Sequence, residues 1–179
     1  MPPIHAKLTH MGIHVRELDR MVRFYTEVLG LMLADRGPGR SPGSELVFMT
    51  ADPRCHHQVV LVTGRPDTAG FNPINQVSFT VGALSELREV RDRALARGAS
   101  DMRCVSHGNA WSIYFRDPEG NTLEAYLDTP FHVPQPYGKP LDLDKPDETI
   151  LQDTEADCRS DSGFMPREDY MRQVAARLG

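Results

Sequence analysis

The strongest constraint on what this chain can fold into is that one order of elements is written twice. Residues 7–63 read as strand, helix, strand, strand, strand, and residues 74–128 read the same way again. In the first half, "KLTHMGIHV" (7–15) alternates with a strand's two-residue period. Met11, Ile13 and Val15 fall on one face, and His10, Gly12 and His14 on the other. "ELDRMVRFYTEVLG" (17–30) carries Met21, Phe24, Tyr25 and Val28 at helical spacing and stops at Gly30. A strand in "GLMLADRG", then "ELVFMT" (45–50) and "HQVVLVT" (57–63), completes the half. In the second half "NQVSFTV" (75–81) is the strand, and "ALSELREVRDRALARG" (83–98) is the helix, with Leu84, Leu87, Val90 and Ala94 or Leu95 inward. "MRCVSH" (102–107), "SIYFRD" (112–117) and "TLEAYL" (122–127) follow as strands. Superposing the first strands sets His10 against Gln76, Met11 against Val77 and Ile13 against Phe79. Gly30 and Gly98 both end helices, and Asp52-Pro53 and Asp117-Pro118 mark the same late turn.

With 179 residues and 40% hydrophobic side chains, one domain built of two halves is the expected size. A formal net charge of −5 with no dominant basic patch argues against a nucleic acid or an anionic membrane as partner. Arg88, Arg91, Arg93 and Arg97 alternate with Glu86, Glu89 and Asp92, which predicts a solvated helix face rather than a phosphate site. The N-terminal stretch has no signal pattern and no apolar run is long enough to span a bilayer, so a cytoplasmic protein is expected. Cys55, Cys104 and Cys158 form no C-x-x-C pair and read as reduced thiols.

The domain is expected over residues 1–140, with modules at about 7–63 and 74–128. Residues 141–179 read as an acidic, proline-containing extension. Within it, 141–157 carry seven acidic residues against one lysine, which reads as an extended arm or disordered linker. "REDYMRQVAARL" (167–178) predicts a short helix with Tyr170, Met171, Val174 and Leu178 as its apolar stripe.

The chemistry sits on polar strand faces. Glu124 is a carboxylate in an otherwise apolar last strand, costly to bury unless a cation or donor meets it. His10 holds the corresponding polar position on the first strand, beside Gly12. If the polar faces of the two halves curve toward each other, His10, Gln76 and Glu124 converge, and imidazole with carboxylate and a third ligand is how a catalytic divalent metal is held. Taken singly, His10 reads equally as a surface side chain and Glu124 as a solvent-facing acid. The densest motif is "SHGNAWSIYFRDPEGNTLEAY" (106–126). Ser112, Tyr114 and Arg116 share one strand face there, and the "DPEGN" turn delivers Tyr114 and Glu124 on neighbouring antiparallel strands. His107 stands at the head of the first. Trp111 and residues 129–140 are candidates to shape a pocket, or Trp111 is an ordinary anchor.

"LTHMGIHVRELDRMVRFYTEVLGL" and "YFRDPEGNTLEAY" resemble the opening module and closing strand pair of the vicinal-oxygen-chelate superfamily of glyoxalases, bleomycin-resistance proteins and extradiol dioxygenases. The resemblance implies an α+β fold of two paired β-α-β-β-β modules forming a half-open mixed β-barrel around a metal. Within the superfamily the chain most resembles the extradiol catechol dioxygenases, which implies Fe(II), or Mn(II) or another divalent metal, held by His10 and Glu124. Gln76 of "NQVSF" stands where those enzymes place a second ligand histidine. An amide oxygen is neutral like imidazole but harder and weaker as a donor, which shifts preference toward oxygen-loving ions. The same resemblance assigns His57 of "HHQVVLV" to hydrogen bonding on the oxygen side, and His107 and Tyr114 to proton transfer and substrate orientation. By strand parity His57 sides with Val59 and Leu61, so an irregular start at His56-His57 is required, failing which His56 or Gln58 points inward. The fourth ligand of glyoxalases falls near Val60, which cannot ligate.

The expected function is therefore a metal-dependent extradiol dioxygenase acting on a catechol with O2, as a homodimer by resemblance. The alternatives are a Lewis-acid isomerase or lyase of the same superfamily, and a non-catalytic antibiotic-type binding protein.

Overall fold

Helix α1 (Leu18–Leu29) forms because Leu18, Met21, Phe24, Tyr25 and Val28 recur on one face and are all buried. It ends at Gly30, whose φ of 71° turns the chain back so that the amides of Gly30 and Leu31 donate to the carbonyls of Thr26 and Tyr25. The computed structural model describes residues 6–68, 70 and 72–178, and the chain divides into two compact units, 1–73 and 74–179.

In unit one, α1 lies against a four-stranded sheet of β1 (Met11–Val15), β2 (Met32–Pro38), β3 (Glu45–Thr50) and β4 (Val59–Thr63), in the order β1-β4-β3-β2. β1 and β4 are parallel and the other pairs antiparallel. Val15, Val47, Met49, Val59 and Leu61 supply the sheet's share of the core. Each such side chain contributes roughly 1.5–3 kcal/mol.

Unit two repeats the plan with β5 (Val77–Thr80), α2 (Leu84–Ala96), β6 (Ser100–Ser106), β7 (Ala110–Arg116) and β8 (Thr122–Asp128). The sheet order is β10-β6-β7-β8-β5, with β5 and β8 parallel and β10 (Lys139–Pro140) added at the β6 edge. Helix α2 packs on β7 and β8. Leu84, Leu87, Val90 and Ala94 are buried with Ile113, Phe115, Leu123 and Ala125, whereas Leu95 is exposed. That side of the sheet is full of apolar atoms, so the alternate residues of β7 and β8 must face the other way.

The registers repeat as well as the order. Gly12 pairs Val60 as Ser78 pairs Glu124, Phe48 pairs Val60 as Tyr114 pairs Glu124, and Asp35 pairs Phe48 as Arg103 pairs Tyr114. Both edge pairings shift register at the same place, between Leu33 and Asp35 and between Ser100 and Arg103. Two β-α-β-β-β modules are therefore present, as expected.

The acidic segment is not an extended or disordered arm. After β9 (Phe131–His132) and β10, residues Asp147–Arg159 form helix α3, followed by β11 (Met165–Pro166) and α4 (Arg167–Leu178). Ile150, Thr154 and Cys158 make a buried stripe at i, i+4, i+8, while Asp147 and Glu148 sit in the first turn, where the helix dipole favours them. Trp111 is an anchor: its buried indole Nε1 donates to Thr154 Oγ1 at 2.8 Å. The arginines of α2 are not all simply solvated either. Arg88 donates to the carbonyls of Leu143 and Lys145, and Arg91 pairs with Asp144 at 2.8 Å, fastening the stretch before α3 to α2. The expected C-terminal helix is α4. Tyr170 stacks on His132 at 3.6 Å and Arg167 pairs with Asp128, while Met171 and Leu178 stay exposed. Among the described residues no helix is long and apolar enough to cross a membrane.

Candidate functional site

The polar face of the unit-two sheet carries a row of side chains fixed by register: Ser78 on β5, Glu124 on β8, Tyr114 on β7 and Arg103 on β6. Glu124 is 7% exposed, and two donors meet its carboxylate. Ser78 Oγ donates to Oε2 at 2.5 Å, and Gln76 Nε2 donates to the same oxygen at 2.8 Å. Burial pushes the Glu124 pKa up, but the hydrogen bond from Ser78, with the nearby polar groups of Tyr114, Ser112 and His107, outweighs it and holds the group below its usual value. It is a buried, ionised carboxylate.

Tyr114 and His107 form a second pair. His107 Nδ1 lies 2.7 Å from the carbonyl oxygen of Tyr137, and Nε2 lies 2.9 Å from Tyr114 Oη. A carbonyl only accepts, so Nδ1 carries the proton and Nε2 accepts from the tyrosine hydroxyl. Burial and the adjacent Glu124 carboxylate push the Tyr114 pKa up to about 12, so the phenol stays protonated at neutral pH. Gly108 lets the chain turn behind His107: its φ is 71°, and a Cβ there would come within 2.5 Å of Val133. The Arg103 guanidinium lies over the Tyr114 ring, 5.0 Å from its centroid.

In unit one the expected histidines gather before β1 and β4. The rings of His10 and His57 are 4.4 Å apart, and His57 packs edge-on to Phe48 at 5.1 Å. The required irregular start is present, since β4 begins only at Val59. His56 Nδ1 is 3.0 Å from His57 Nδ1, with Asp35 3.8 Å beyond its Nε2. Gln58 is occupied in the turn, accepting from the Ala51 amide at 2.8 Å. Burial, then the neighbouring His10 and His56, lower the His57 pKa, favouring the neutral ring. Val60 holds in this unit the position that Glu124 holds in the other.

The unit-two donors suit a divalent cation. Both hydrogen bonds to Glu124 run to Oε2, leaving Oε1, and the fully buried Ser112 Oγ on the same face lacks a hydrogen-bond partner. Carboxylate, amide and hydroxyl oxygens are hard donors of the kind such ions take. Periodicity brought out Gln76, Glu124, Tyr114 and His107, but not the work of Ser78 and Arg103. Arg103 could have been found by counting back from the "HGNA" turn, because antiparallel partners keep a constant index sum.

Comparison with known proteins follows the same lines. The family model described as Glyoxalase/Bleomycin resistance protein/Dioxygenase superfamily matches residues 7–125. Biphenyl-2,3-diol 1,2-dioxygenase 3 of Rhodococcus globerulus is 28% identical over 137 residues, 74% of this chain and 68% of that protein. The matched stretches span 42% to 68% of the curated dioxygenase relatives' own lengths. Among solved structures, a glyoxylase/bleomycin resistance protein/dioxygenase domain from Frankia sp. EAN1pec is 26% identical with a TM-score of 0.59, over 70% of this chain and 100% of that one. The fosfomycin resistance protein FosX from Mesorhizobium loti shares the fold at 24% identity and a TM-score of 0.55, over 70% of this chain and 94% of that one.

Proposed function

Because the chain belongs to the glyoxalase/bleomycin resistance protein/dioxygenase superfamily, we propose that it is a metal-dependent extradiol dioxygenase that opens a catechol ring with O2. The observation that carries this reading is the His107–Tyr114 pair, held in one tautomer beside the ionised Glu124. A protein that only stores a small molecule has no use for a poised proton acceptor next to a buried anion. The residues of unit two that would hold the metal are Gln76 and Glu124. Fe(II), when bound, would supply the electron transfer between catechol and dioxygen that no side chain here can perform.

The side chains divide the remaining work. Tyr114, protonated well past neutral pH, cannot serve as the base; its one hydroxyl proton goes to His107 Nε2, which leaves its oxygen to accept from the substrate hydroxyl and orient it. His107 Nε2 is the final acceptor of the substrate hydroxyl proton, reached through the Tyr114 hydroxyl, and the Tyr137 carbonyl stabilises the resulting imidazolium through Nδ1–H. In unit one, the surroundings of His57 favour the neutral ring, which can donate one hydrogen bond. Partners under this reading are a small aromatic substrate and O2, with a homodimer as the assembly. One feature favours a second reading, Lewis-acid isomerase or lyase chemistry: Gln76 offers a hard amide oxygen where an imidazole would suit iron better.

Anaerobic purification, Fe(II) loading and addition of 2,3-dihydroxybiphenyl or catechol with O2 tests the proposal. A yellow ring-cleavage product is expected, and Gln76→His should raise iron affinity. Failure to cleave any of several catechols, with protein that takes up no iron, would sink it.

A further inference from the structure

The unit-two row ends in a cation. Arg103 stands two strands from Glu124, about 10 Å at the usual strand spacing, and its guanidinium covers the outer face of Tyr114. Among the described residues it meets no carboxylate. Its neighbour Arg116 is occupied, pairing with Asp101 at 3.5 Å and donating to the Gly120 carbonyl at 3.0 Å. Arg103, Tyr114, Gln76, Asn75 and Thr122 line a recess of about 280 Å³ on this face, together with Asp101 and Arg116, whose charges offset each other in their ion pair. Arg103 is exposed, so it loses little hydration while empty, and it keeps all its forked N–H donors for a ligand. The Tyr114 ring steadies the guanidinium plane without using those donors.

We propose that Arg103 is the specificity-determining residue of this site and selects substrates that carry a carboxylate on the aromatic ring. This rests on the catechol reading given above. With the vicinal oxygens at the Glu124 end of the row, an acidic substituent meta or para to them reaches toward the Arg103 end. A bidentate guanidinium–carboxylate pair forms there, beside Tyr114 rather than across it. The repeat sharpens the assignment, since unit one has Asp35 at the equivalent position, where an anion would be repelled.

The test is anaerobic binding of 3,4-dihydroxybenzoate against 4-methylcatechol, which needs no turnover, on the full chain and on Arg103→Gln, Arg103→Lys and Arg103→Asp. The wild type should bind the acid on the order of tenfold more tightly, a gap that narrows at high salt. Arg103→Gln should weaken only the acid until the two bind alike, Arg103→Lys should keep part of the preference, and Arg103→Asp should invert it. No preference in the wild type, a preference that survives Arg103→Gln, or no binding of either compound overturns the inference. A wild type that cleaves catechols without favouring the acid refutes this inference alone. One that favours the acid but cleaves nothing refutes the reaction and leaves Arg103 in its role.

Discussion

The two units share a skeleton and differ in what they hang on it. Across the unit-one sheet the transverse row is Gly12, Val60, Phe48, Asp35, and across the unit-two sheet it is Ser78, Glu124, Tyr114, Arg103. Connectivity, register and even the edge bulge coincide, so the backbone cannot be what sets the second row apart. The difference is that unit two brings an acid together with donors to hold it charged, and unit one keeps the middle of its row apolar, with Asp35 only at the exposed edge, and places histidines at the strand mouths instead. A fold supplies positions, and a few side chains decide which positions do chemistry.

Writing unit-one residues into unit two breaks the comparison in graded steps. Glu124→Val should have the largest effect, reducing ring cleavage to background and costing on the order of 1–3 kcal/mol of stability, because Ser78 and Gln76 lose the acceptor they donate to. Thermal melts beside activity assays check this; a variant that unfolds would make the carboxylate structural.

Tyr114→Phe, the counterpart of Phe48, should lower the rate by about 100-fold and also change the alkaline limb of stability. The phenol pKa is raised on folding from 10 to about 12. The unfolded chain therefore releases its proton first, and the stability present below pH 10 is lost as pH rises to about 12. Urea titrations over that window should show a shallower decline in the variant, and identical slopes would refute the assignment.

Ser78→Gly, the counterpart of Gly12, should have the smallest effect, about 1.5 kcal/mol from the hydrogen bond to a charged group. The folded Glu124 pKa lies below its usual 4.5, so the stabilisation is fully present above that pH and lost as pH falls through the folded value. The gap between wild type and Ser78→Gly should accordingly close in acid, and a gap independent of pH would mean that Ser78 acts otherwise.

Much of this was legible before any coordinates. Alternation put Ser112, Tyr114 and Arg116 on one strand face and marked Glu124 as the one acid in an apolar strand, and both modules follow from element order. The partners of Glu124 were harder to read. Ser78 reaches it through a parallel pairing of strands 46 residues apart, and no local pattern encodes parallel register. Helix α3 was hidden because a stripe of Ile150, Thr154 and Cys158 is thin in apolar atoms and lies among seven acids; its partner Trp111 had to be in place to reveal it. His57 depended on an irregular start to β4 that periodicity can require but not supply.

The most direct measurement is anaerobic calorimetric titration of Fe(II), with Mn(II) in parallel, into the metal-free wild type and Glu124→Val. The account predicts about one equivalent bound per wild-type chain and none by the folded variant. Equal uptake by both proteins, or none by either, would contradict it.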